Sequence, residues 1–343
     1  MKIGFLVGGE LAWVSGPTLY NQRVLEGLLS VGHDVAVVEL PGEYPVTDET
    51  ARSAARGALA SLPADRLALI DGLALPAFAG QGDSLAARPT VALIHHPTAL
   101  GTGISETERA ALRNTELRLL PRCARVIATS EATAERLVTD FGLDRARLRV
   151  VVAGIDPAPR STGSGGGSCA ILSIGALIPR KGHHVLIRSL ARLFDLDWHL
   201  TIVGSETRDP AHVQRLRMLA AEVGEKVLFA GEPGETELER LWQRTDIFAL
   251  ASFWEGYPTA VAQALKRGVP VAITNEGPAS GLVPMEAGIV CKPGDDEQYA
   301  KALRRMIFDC DLRSAMAEAA WTAGQSLPCW ERQIGAFIEA LTL

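Results

Sequence analysis

Short apolar runs alternate along the chain with longer segments in which apolar residues recur every three or four positions. The short runs predict buried strands, and the longer segments predict amphipathic helices. In the first half, the predicted strands are 3–7, 34–40, 67–70, 91–94, 126–129 and 148–152, with helices at 18–30, 50–61, 105–120 and 132–140. Strict alternation of this kind predicts a parallel sheet with helices on both faces.

The same alternation restarts after residue 168. The second set of predicted strands is 170–174, 199–203, 227–230, 247–251, 269–274 and 288–291, with helices at 183–193, 211–223, 235–243, 259–267, 297–309 and a final helical stretch at 315–343. Between the two sets, residues 156–168 read DPAPRSTGSGGGS. This content of proline, glycine and serine predicts a flexible linker at a domain boundary.

These patterns predict an α/β protein with two Rossmann-like, doubly wound domains that face each other across a cleft. The expected organisation is a first domain at 1–155, a linker at 156–168, a second domain at 169–315, and a helix at 316–343 that crosses back to the first domain. Ligands of open parallel sheets bind at the carboxyl ends of the strands, so the cleft is the expected site.

Composition excludes several classes of protein. The 343 residues are 47% hydrophobic and 22% charged, which disfavours disorder and coiled coils. A net charge of −6 disfavours nucleic acid as a partner. Five scattered cysteines indicate neither a disulfide framework nor a zinc site. No apolar run is long enough to span a membrane. We expect a cytoplasmic location; peripheral contact with the inner membrane face and the oligomeric state stay open.

The first candidate for chemistry is the segment GALIPRKG at 175–182, between a predicted strand and a predicted helix. Arg180 and Lys181 there would neutralise a diphosphate, and the free amides of the helix N-terminus would add to the attraction. The alternative is a solvated turn. Neither a Walker A loop nor GxGxxG occurs in the chain, which disfavours a dehydrogenase.

The second candidate is SFWEGYPTAVAQAL at 252–265, where a predicted strand ends and a helix follows. Glu255 falls in the turn and could accept hydrogen bonds from sugar hydroxyls, while Gln263 lies one turn into the helix. The alternative is a surface carboxylate before an ordinary amphipathic helix. The donor-side residues expected from this segment are Glu255, Gly256, Tyr257, Pro258, Thr259 and Gln263.

Three predicted strand ends of the first half offer further candidates for contact with a ligand in the cleft. Gly16 lies in a turn after the first strand, where the absence of a side chain would allow close approach of a ligand. A simple turn, an Asx turn or a loop histidine would explain each feature equally well. The candidate residues here are Ser15, Tyr20, Asp71, His95 and, as an alternate to His95, His96.

Together, these stretches resemble the retaining glycosyltransferases of family 4, which have the GT-B fold. The family pattern is Gly-Arg-x4-Lys-Gly followed by Glu-x7-Glu; Lys181-Gly182 and Glu255 match it. The resemblance also covers VVVAGID at 150–156, LTIVG at 200–204 and GIVCKPGD at 288–295. Two positions depart from it. Ala176 replaces the family's arginine, for which Arg180 could substitute, and Gln263 replaces the second glutamate, which holds the ribose.

The resemblance implies a hexosyltransferase that moves a sugar from a UDP- or GDP-linked donor to a hydroxyl of a glycan, lipid-linked or small-molecule acceptor, with retention. Lys181 and Arg180 would stabilise the departing diphosphate without a metal or cofactor, Glu255 would hold the sugar, His95 would line the acceptor side, and Gly16 would approach the donor phosphate. The catalytic residues expected from it are Glu255, His95 and Lys181. The acceptor-side residues expected from it are Ser15, Tyr20, Asp71, His95 and, as an alternate to His95, His96.

Other functions stay open on the sequence alone. A non-catalytic nucleotide- or glycan-binding subunit of the same fold would explain Ala176 and Gln263. An epimerase or a phosphorylase would share the architecture. The triplets at 195–197 and 309–311 have the DxD pattern of metal-binding glycosyltransferases, but their places between elements predict a polar turn and a helix end.

Overall fold

The computed structural model describes residues 1–11, 16–101, 103–255, 257–274 and 279–343. Its strands are β1 Lys2–Gly8, β2 Asp34–Leu40, β3 Leu67–Asp71, β4 Thr90–Ile94, β5 Arg125–Ala128, β6 Leu148–Val150, β7 Cys169–Ile174, β8 Trp198–Val203, β9 Val227–Phe229, β10 Ile247–Leu250, β11 Val271–Thr274 and β12 Gly288–Cys291. Its α-helices are α1 Gly16–Ser30, α2 Glu49–Ser61, α3 Gly82–Ala86, α4 Glu106–Leu119, α5 Glu131–Thr139, α6 His183–Ala191, α7 Pro210–Ala221, α8 Glu235–Gln243, α9 Thr259–Lys266, α10 Ala279–Leu282, α11 Asp296–Phe308, α12 Cys310–Gln325 and α13 Trp330–Leu341.

The strands form two six-stranded sheets, in the orders β2-β1-β3-β4-β5-β6 and β12-β11-β10-β7-β8-β9. All ten strand pairs among the described residues are parallel. The strand order reverses between β1 and β3 in the first sheet and between β7 and β10 in the second. These reversals are the topological switch points at which doubly wound sheets bind ligands. The expected pair of doubly wound α/β domains is therefore confirmed.

The burial of the central strands explains why continuous apolar runs in the sequence predict them. Every residue of β3, β4, β10 and β11 is buried, as expected for strands covered by helices on both faces. The helices instead present one apolar stripe: in α2, for example, Ala51, Ala55 and Leu59 are buried. Asp48 caps this helix by accepting a hydrogen bond from the Ala51 amide.

The chain divides into two compact units. The first unit contains Met1–Gly154 together with Pro328–Leu343, and the second contains Ile155–Leu327. Residues 156–168 are not the flexible linker that their composition predicts, because backbone hydrogen bonds join them to the second unit. The Ser161 amide donates to the Arg267 carbonyl at 2.9 Å, and the Thr162 amide donates to the Gln243 carbonyl at 3.0 Å.

Glycine in this segment has a conformational role instead. Gly163, Gly165, Gly166 and Gly167 all have positive φ, between 71° and 96°. L-amino-acid residues rarely adopt this backbone conformation, so glycine at these four positions lets the segment take this path without backbone strain.

The single helix expected at 316–343 is two helices, α12 and α13, because Pro328 interrupts the helical hydrogen bonding between them. The first of them remains with the second unit. A Cβ atom on Gly324 would lie 2.2 Å from the Leu265 carbonyl oxygen of α9. The second belongs to the first unit: the Trp330 ring lies 5.5 Å from the Tyr20 ring, and Ile334 packs against Gly27.

Two polar side chains of α4 contact the loop that follows β4. Glu116 is 1% exposed, and its carboxylate accepts hydrogen bonds from the amides of Thr98 and Ala99. Arg109 donates to the Ala99 carbonyl on the same turn. These side chains therefore brace the loop after β4. No helix in the described part of the chain is both long and apolar enough to cross a membrane.

Candidate functional site

The second unit brings two loops together at its switch point. One loop follows β7 and carries Arg180 and Lys181, and the other follows β10 and carries Glu255. Gly182 ends the first loop with φ of 66°, and a Cβ atom there would lie 1.8 Å from the Ala251 carbonyl oxygen. The Phe253 amide donates to the Arg180 carbonyl at 2.9 Å. The two loops therefore form one continuous backbone structure, which depends on a glycine at 182.

Side chains from both loops converge on one carboxylate oxygen. Oε1 of Glu255 lies 2.6 Å from Lys181 Nζ and 3.4 Å from Arg180 Nη1. Glu255 is 7% exposed. Burial alone would raise the pKa of this carboxyl, but the charges of Lys181 and Arg180, with hydrogen bonds from Lys181 and Ser252, bring the pKa below its ordinary value. Glu255 is therefore ionised and paired with two cations.

Two further residues of this cluster were missed by sequence reasoning. Ser252 Oγ donates to Glu255 Oε1 at 2.6 Å, and Thr274 Oγ1 donates to the Ser252 carbonyl at 2.9 Å. Both side chains are buried. The serine three residues before the glutamate was the available signal for the first contact. Thr274, at the end of β11, has no comparable signal, because only the sheet order brings it beside β10.

The other donor-side residues lie around the start of α9. Pro258 precedes that helix and Thr259 is its first residue, whereas Gly256 lies outside the described residues. Tyr257 is half-buried, and burial raises its pKa to about 12. Gln263 is half-buried on α9. The Arg180 guanidinium lies close to Glu255, which gives the loop a second cation although Ala176 replaces the family's arginine.

Two helix N-termini flank the cluster, because α6 follows Gly182 and α9 follows Pro258. Neither of these residues can cap its helix with a side-chain hydrogen bond. The first amides of both helices are therefore suited to an anionic ligand. An arrangement of two cations, two helix N-termini and one carboxylate can bind a diphosphate and a neighbouring hydroxyl group.

The first unit gathers a separate polar cluster at its own switch point. Asp71 ends β3, and His95 follows β4. His95 Nε2 lies 2.9 Å from Oδ1 of Asn21 on α1, and the His95 ring packs edge-on against Tyr20 at 5.1 Å. Burial of the ring lowers the pKa of His95 to about 3, so this imidazole is neutral and acts as a hydrogen-bonding group.

The remaining acceptor-side predictions differ in outcome. Tyr20 is 4% exposed and its hydroxyl donates to the Val151 carbonyl at 2.8 Å, so that hydroxyl has an internal partner. His96 is half-buried next to His95, and Gly16 begins α1. Ser15 lies outside the described residues. Asn21, which contacts His95, was not singled out from the sequence.

The surroundings of the Asp71 carboxyl disfavour its charged form. It is 5% exposed, and no donor in the described part of the chain reaches its Oδ1 atom. Burial raises the pKa of this carboxyl to about 6, and hydrogen bonds from the Leu73 amide, the Asn21 side chain and the Gly72 amide only partly oppose this effect. The ionised form therefore destabilises the folded state above pH 6.

Replacing Asp71 by Asn is expected to stabilise the fold at pH 8. The folded state binds the Asp71 proton more tightly than the unfolded state between about pH 4 and pH 6, so unfolding free energy falls as pH rises through that window. The penalty above it is about 3 kcal/mol. Thermal unfolding of Asp71→Asn should show a higher midpoint than wild type at pH 8 and little difference at pH 4.

The matched control for this comparison is Asp83→Asn, because the Asp83 side chain is 95% exposed. Its midpoint should follow that of the wild type at both pH values. At each pH, the quantity to compare is the unfolding midpoint of Asp71→Asn minus that of wild type. A smaller difference at pH 8 than at pH 4 would contradict the burial argument.

The two DxD triplets have structural partners. Asp195 forms two hydrogen bonds with Arg304, at 2.6 and 2.8 Å. Asp309 accepts from the Leu312 amide and caps α12. Within the described ranges, no group of three or more His, Cys, Asp or Glu side chains is arranged to hold a metal ion.

Comparison with known proteins agrees with this architecture. The family "Glycosyl transferases group 1" matches residues 155–322, and the family "Glycosyltransferase Family 4" matches residues 70–159. A lipopolysaccharide core biosynthesis glycosyltransferase, LpsE of Rhizobium meliloti (strain 1021), is 30% identical over 205 residues, which cover 56% of each chain. The matched region spans between 40% and 57% of the length of the first three curated relatives.

Solved structures share the fold over nearly the whole chain. A sucrose-phosphate synthase from Thermosynechococcus elongatus superposes with a TM-score of 0.81 at 18% identity, covering 98% of both chains. Anabaena Alr3699/HepE in complex with UDP and glucose superposes with a TM-score of 0.77 at 18% identity, covering 99% of both chains. The chain therefore resembles the group 1 and family 4 glycosyltransferases in sequence, and its fold is the GT-B fold.

Proposed function

We propose that this protein transfers a sugar from a nucleotide-diphosphate sugar to an acceptor hydroxyl, with retention and without a metal ion. The donor would bind to the second unit and be UDP- or GDP-linked, in keeping with the UDP held by one structural neighbour. The acceptor would be a glycan, a lipid-linked sugar or a small polyol, in keeping with a relative named for lipopolysaccharide core biosynthesis.

The observation that carries this proposal is the buried contact of 2.6 Å between Lys181 and Glu255 at the β7/β10 switch point. One carboxylate faces two cations there, so the cluster keeps an excess positive charge. The ion pair also restricts the flexible lysine side chain before any ligand arrives, which reduces the entropy lost on binding. A diphosphate would complete the charge balance.

The same residues suit the chemistry of the transfer. Negative charge accumulates on the diphosphate as the glycosidic bond breaks, and Lys181, Arg180 and the helix amides would stabilise it. Glu255 would accept hydrogen bonds from the sugar hydroxyls. Neutral His95 is a weak base, because its pKa is low. The departing phosphate would therefore take the proton of the acceptor hydroxyl, as the family resemblance implies. Asp71 and His95 would instead bind hydroxyl groups of the acceptor.

Nucleotide binding is tested by thermal unfolding with UDP, GDP, ADP, dTDP and CDP, with EDTA or with magnesium. A ligand at one hundred times its dissociation constant stabilises the folded state by about 2.7 kcal/mol. We expect one of these nucleotides to stabilise the folded protein in this way when EDTA is present. Lys181→Ala should weaken its binding about 100-fold, which leaves about 0.4 kcal/mol at the same concentration.

The matched control is Lys301→Ala, which removes an equal charge from an exposed side chain of the same unit. It should retain the full nucleotide shift. Stabilisation only with magnesium would contradict the metal-free mechanism. Binding without turnover of the matching sugar donors would instead favour a non-catalytic binding subunit.

A further inference from the structure

The polar cluster of the first unit contains a buried amide, the side chain of Asn21. Asn21 is 1% exposed and shares the buried face of α1 with Tyr20, Val24 and Leu28. An apolar side chain is expected at such a position, because a buried polar group costs free energy unless it is hydrogen-bonded. The contacts of this amide therefore indicate why a polar residue is there.

The Asn21 side chain is near both of the other polar groups in the cluster. It is close enough to the Asp71 carboxylate to oppose the rise in the pKa of that carboxyl, and only the NH2 group of the amide could donate to it. The opposite end, Oδ1, lies 2.9 Å from His95 Nε2 and must accept from it. Only one orientation of the amide satisfies both contacts. It places the single proton of the neutral imidazole on Nε2, which leaves Nδ1 as a hydrogen-bond acceptor.

The arrangement leaves Asp71 incompletely satisfied. Among the described residues, its buried Oδ1 atom has no donor, and no charged group is among the causes that shift the pKa of its carboxyl. A ligand hydroxyl could supply the missing donor. The contact between Thr133 Oγ1 and the His95 carbonyl, at 3.2 Å, further fixes the loop that carries the imidazole.

We propose that Asn21 is a positioning residue that holds Asp71 and His95 as a pair of hydrogen-bond acceptors for two hydroxyl groups of a polyol or sugar acceptor. This inference rests on the proposed function and specifies the substrate class of its acceptor side. In this proposal, Asn21 does not contact the acceptor hydroxyls. It acts through Asp71 and His95, the two side chains that it orients.

The test compares wild type with Asn21→Leu, which has a similar volume and no hydrogen bond, and with Asn114→Leu, an exposed asparagine of the same unit. The first readout is the carboxyl 13C shift of Asp71 as a function of pH. It should titrate near pH 6 in wild type and in Asn114→Leu. In Asn21→Leu it should titrate about one pH unit higher, because the donor that favours the ionised form is lost.

The second readout is sugar transfer to methyl α-glucoside and myo-inositol, from the donor whose nucleotide stabilises the protein. The acceptor KM should rise at least tenfold in Asn21→Leu, and the acidic limb of kcat/KM should move up with the Asp71 titration. The donor KM should stay within twofold of wild type. An unchanged acceptor KM or an unchanged Asp71 titration would overturn the inference.

A further variant covers the case in which Asn21→Leu does not fold. Asn21→Ala removes the donor to Asp71 without adding a charge, so the same upward shift of the acidic limb is expected, and its absence counts against the inference. If no nucleotide binds the wild type, the proposed function is wrong, and this inference, which depends on it, is wrong as well. If a nucleotide binds and the acceptor KM does not change, only this inference fails.

Discussion

Glu255→Gln is expected to reduce kcat/KM about 1000-fold while nucleotide diphosphate binding is retained or strengthened. The neutral amide removes the anionic acceptor for the sugar hydroxyls, an interaction used as the glycosidic bond breaks, and losses of this kind reach roughly 100- to 1000-fold. It also frees Lys181 and Arg180, which both lie within 4 Å of the carboxylate in the free protein. Initial rates and nucleotide titrations of the variant measure the two effects separately.

Glu239→Gln is the matched control, because Glu239 forms a 2.6 Å ion pair with Arg267 in the same unit. It should keep wild-type turnover, since its ion pair lies outside the cluster. Full activity of Glu255→Gln, or a parallel loss of turnover and nucleotide affinity, would contradict the assigned role of Glu255.

Gly182→Ala is expected to destabilise the protein by at least about 3 kcal/mol, since both backbone strain and a steric clash oppose the methyl group. The residue has φ of 66°, and the new Cβ atom would lie 1.8 Å from a backbone oxygen of the adjoining strand end. Because relief of this clash must separate the two loops, the variant should also lose nucleotide binding. Denaturant unfolding and the nucleotide thermal shift measure these outcomes.

Gly224→Ala separates the steric clash from the backbone strain. Gly224 has nearly the same φ, 69°, but nothing lies within 4 Å of a Cβ atom placed there. Its substitution should cost only about 1 kcal/mol, the conformational penalty for an L-residue. Equal destabilisation by the two substitutions would show that packing against the Ala251 carbonyl is unimportant.

The sequence predicted the sheets better than the connections between them. Strands such as β3 and β4 are buried on both faces, so each is a continuous apolar run that stands out locally. Residues 156–168 were misread as a linker because hydrogen bonds to Gln243 and Arg267 depend on distant residues. The contacts of Glu116 could not be predicted for the same reason, since its partners are amides of another turn.

The candidate site also contains some residues that could be selected from the sequence and others that could not. Arg180, Lys181 and Glu255 could be selected because charged residues at predicted strand ends are conspicuous, and a family pattern includes two of them. Ser252 and Thr274 could not, because small hydroxyl residues are common and acquire a role only through the neighbours that the fold supplies. Asn21 falls in an otherwise apolar helical face, a local anomaly that could have been noticed.

The position of α13 has a consequence for how the protein is made. Trp330 and Ile334 complete the packing around Tyr20 and Gly27 in the first unit, yet the ribosome synthesises them only after all of the second unit. At typical translation rates, the nascent first unit waits roughly ten seconds or longer for that helix. During this interval, the surface of α1 that later receives α13 is uncovered, so chaperone contacts should concentrate there.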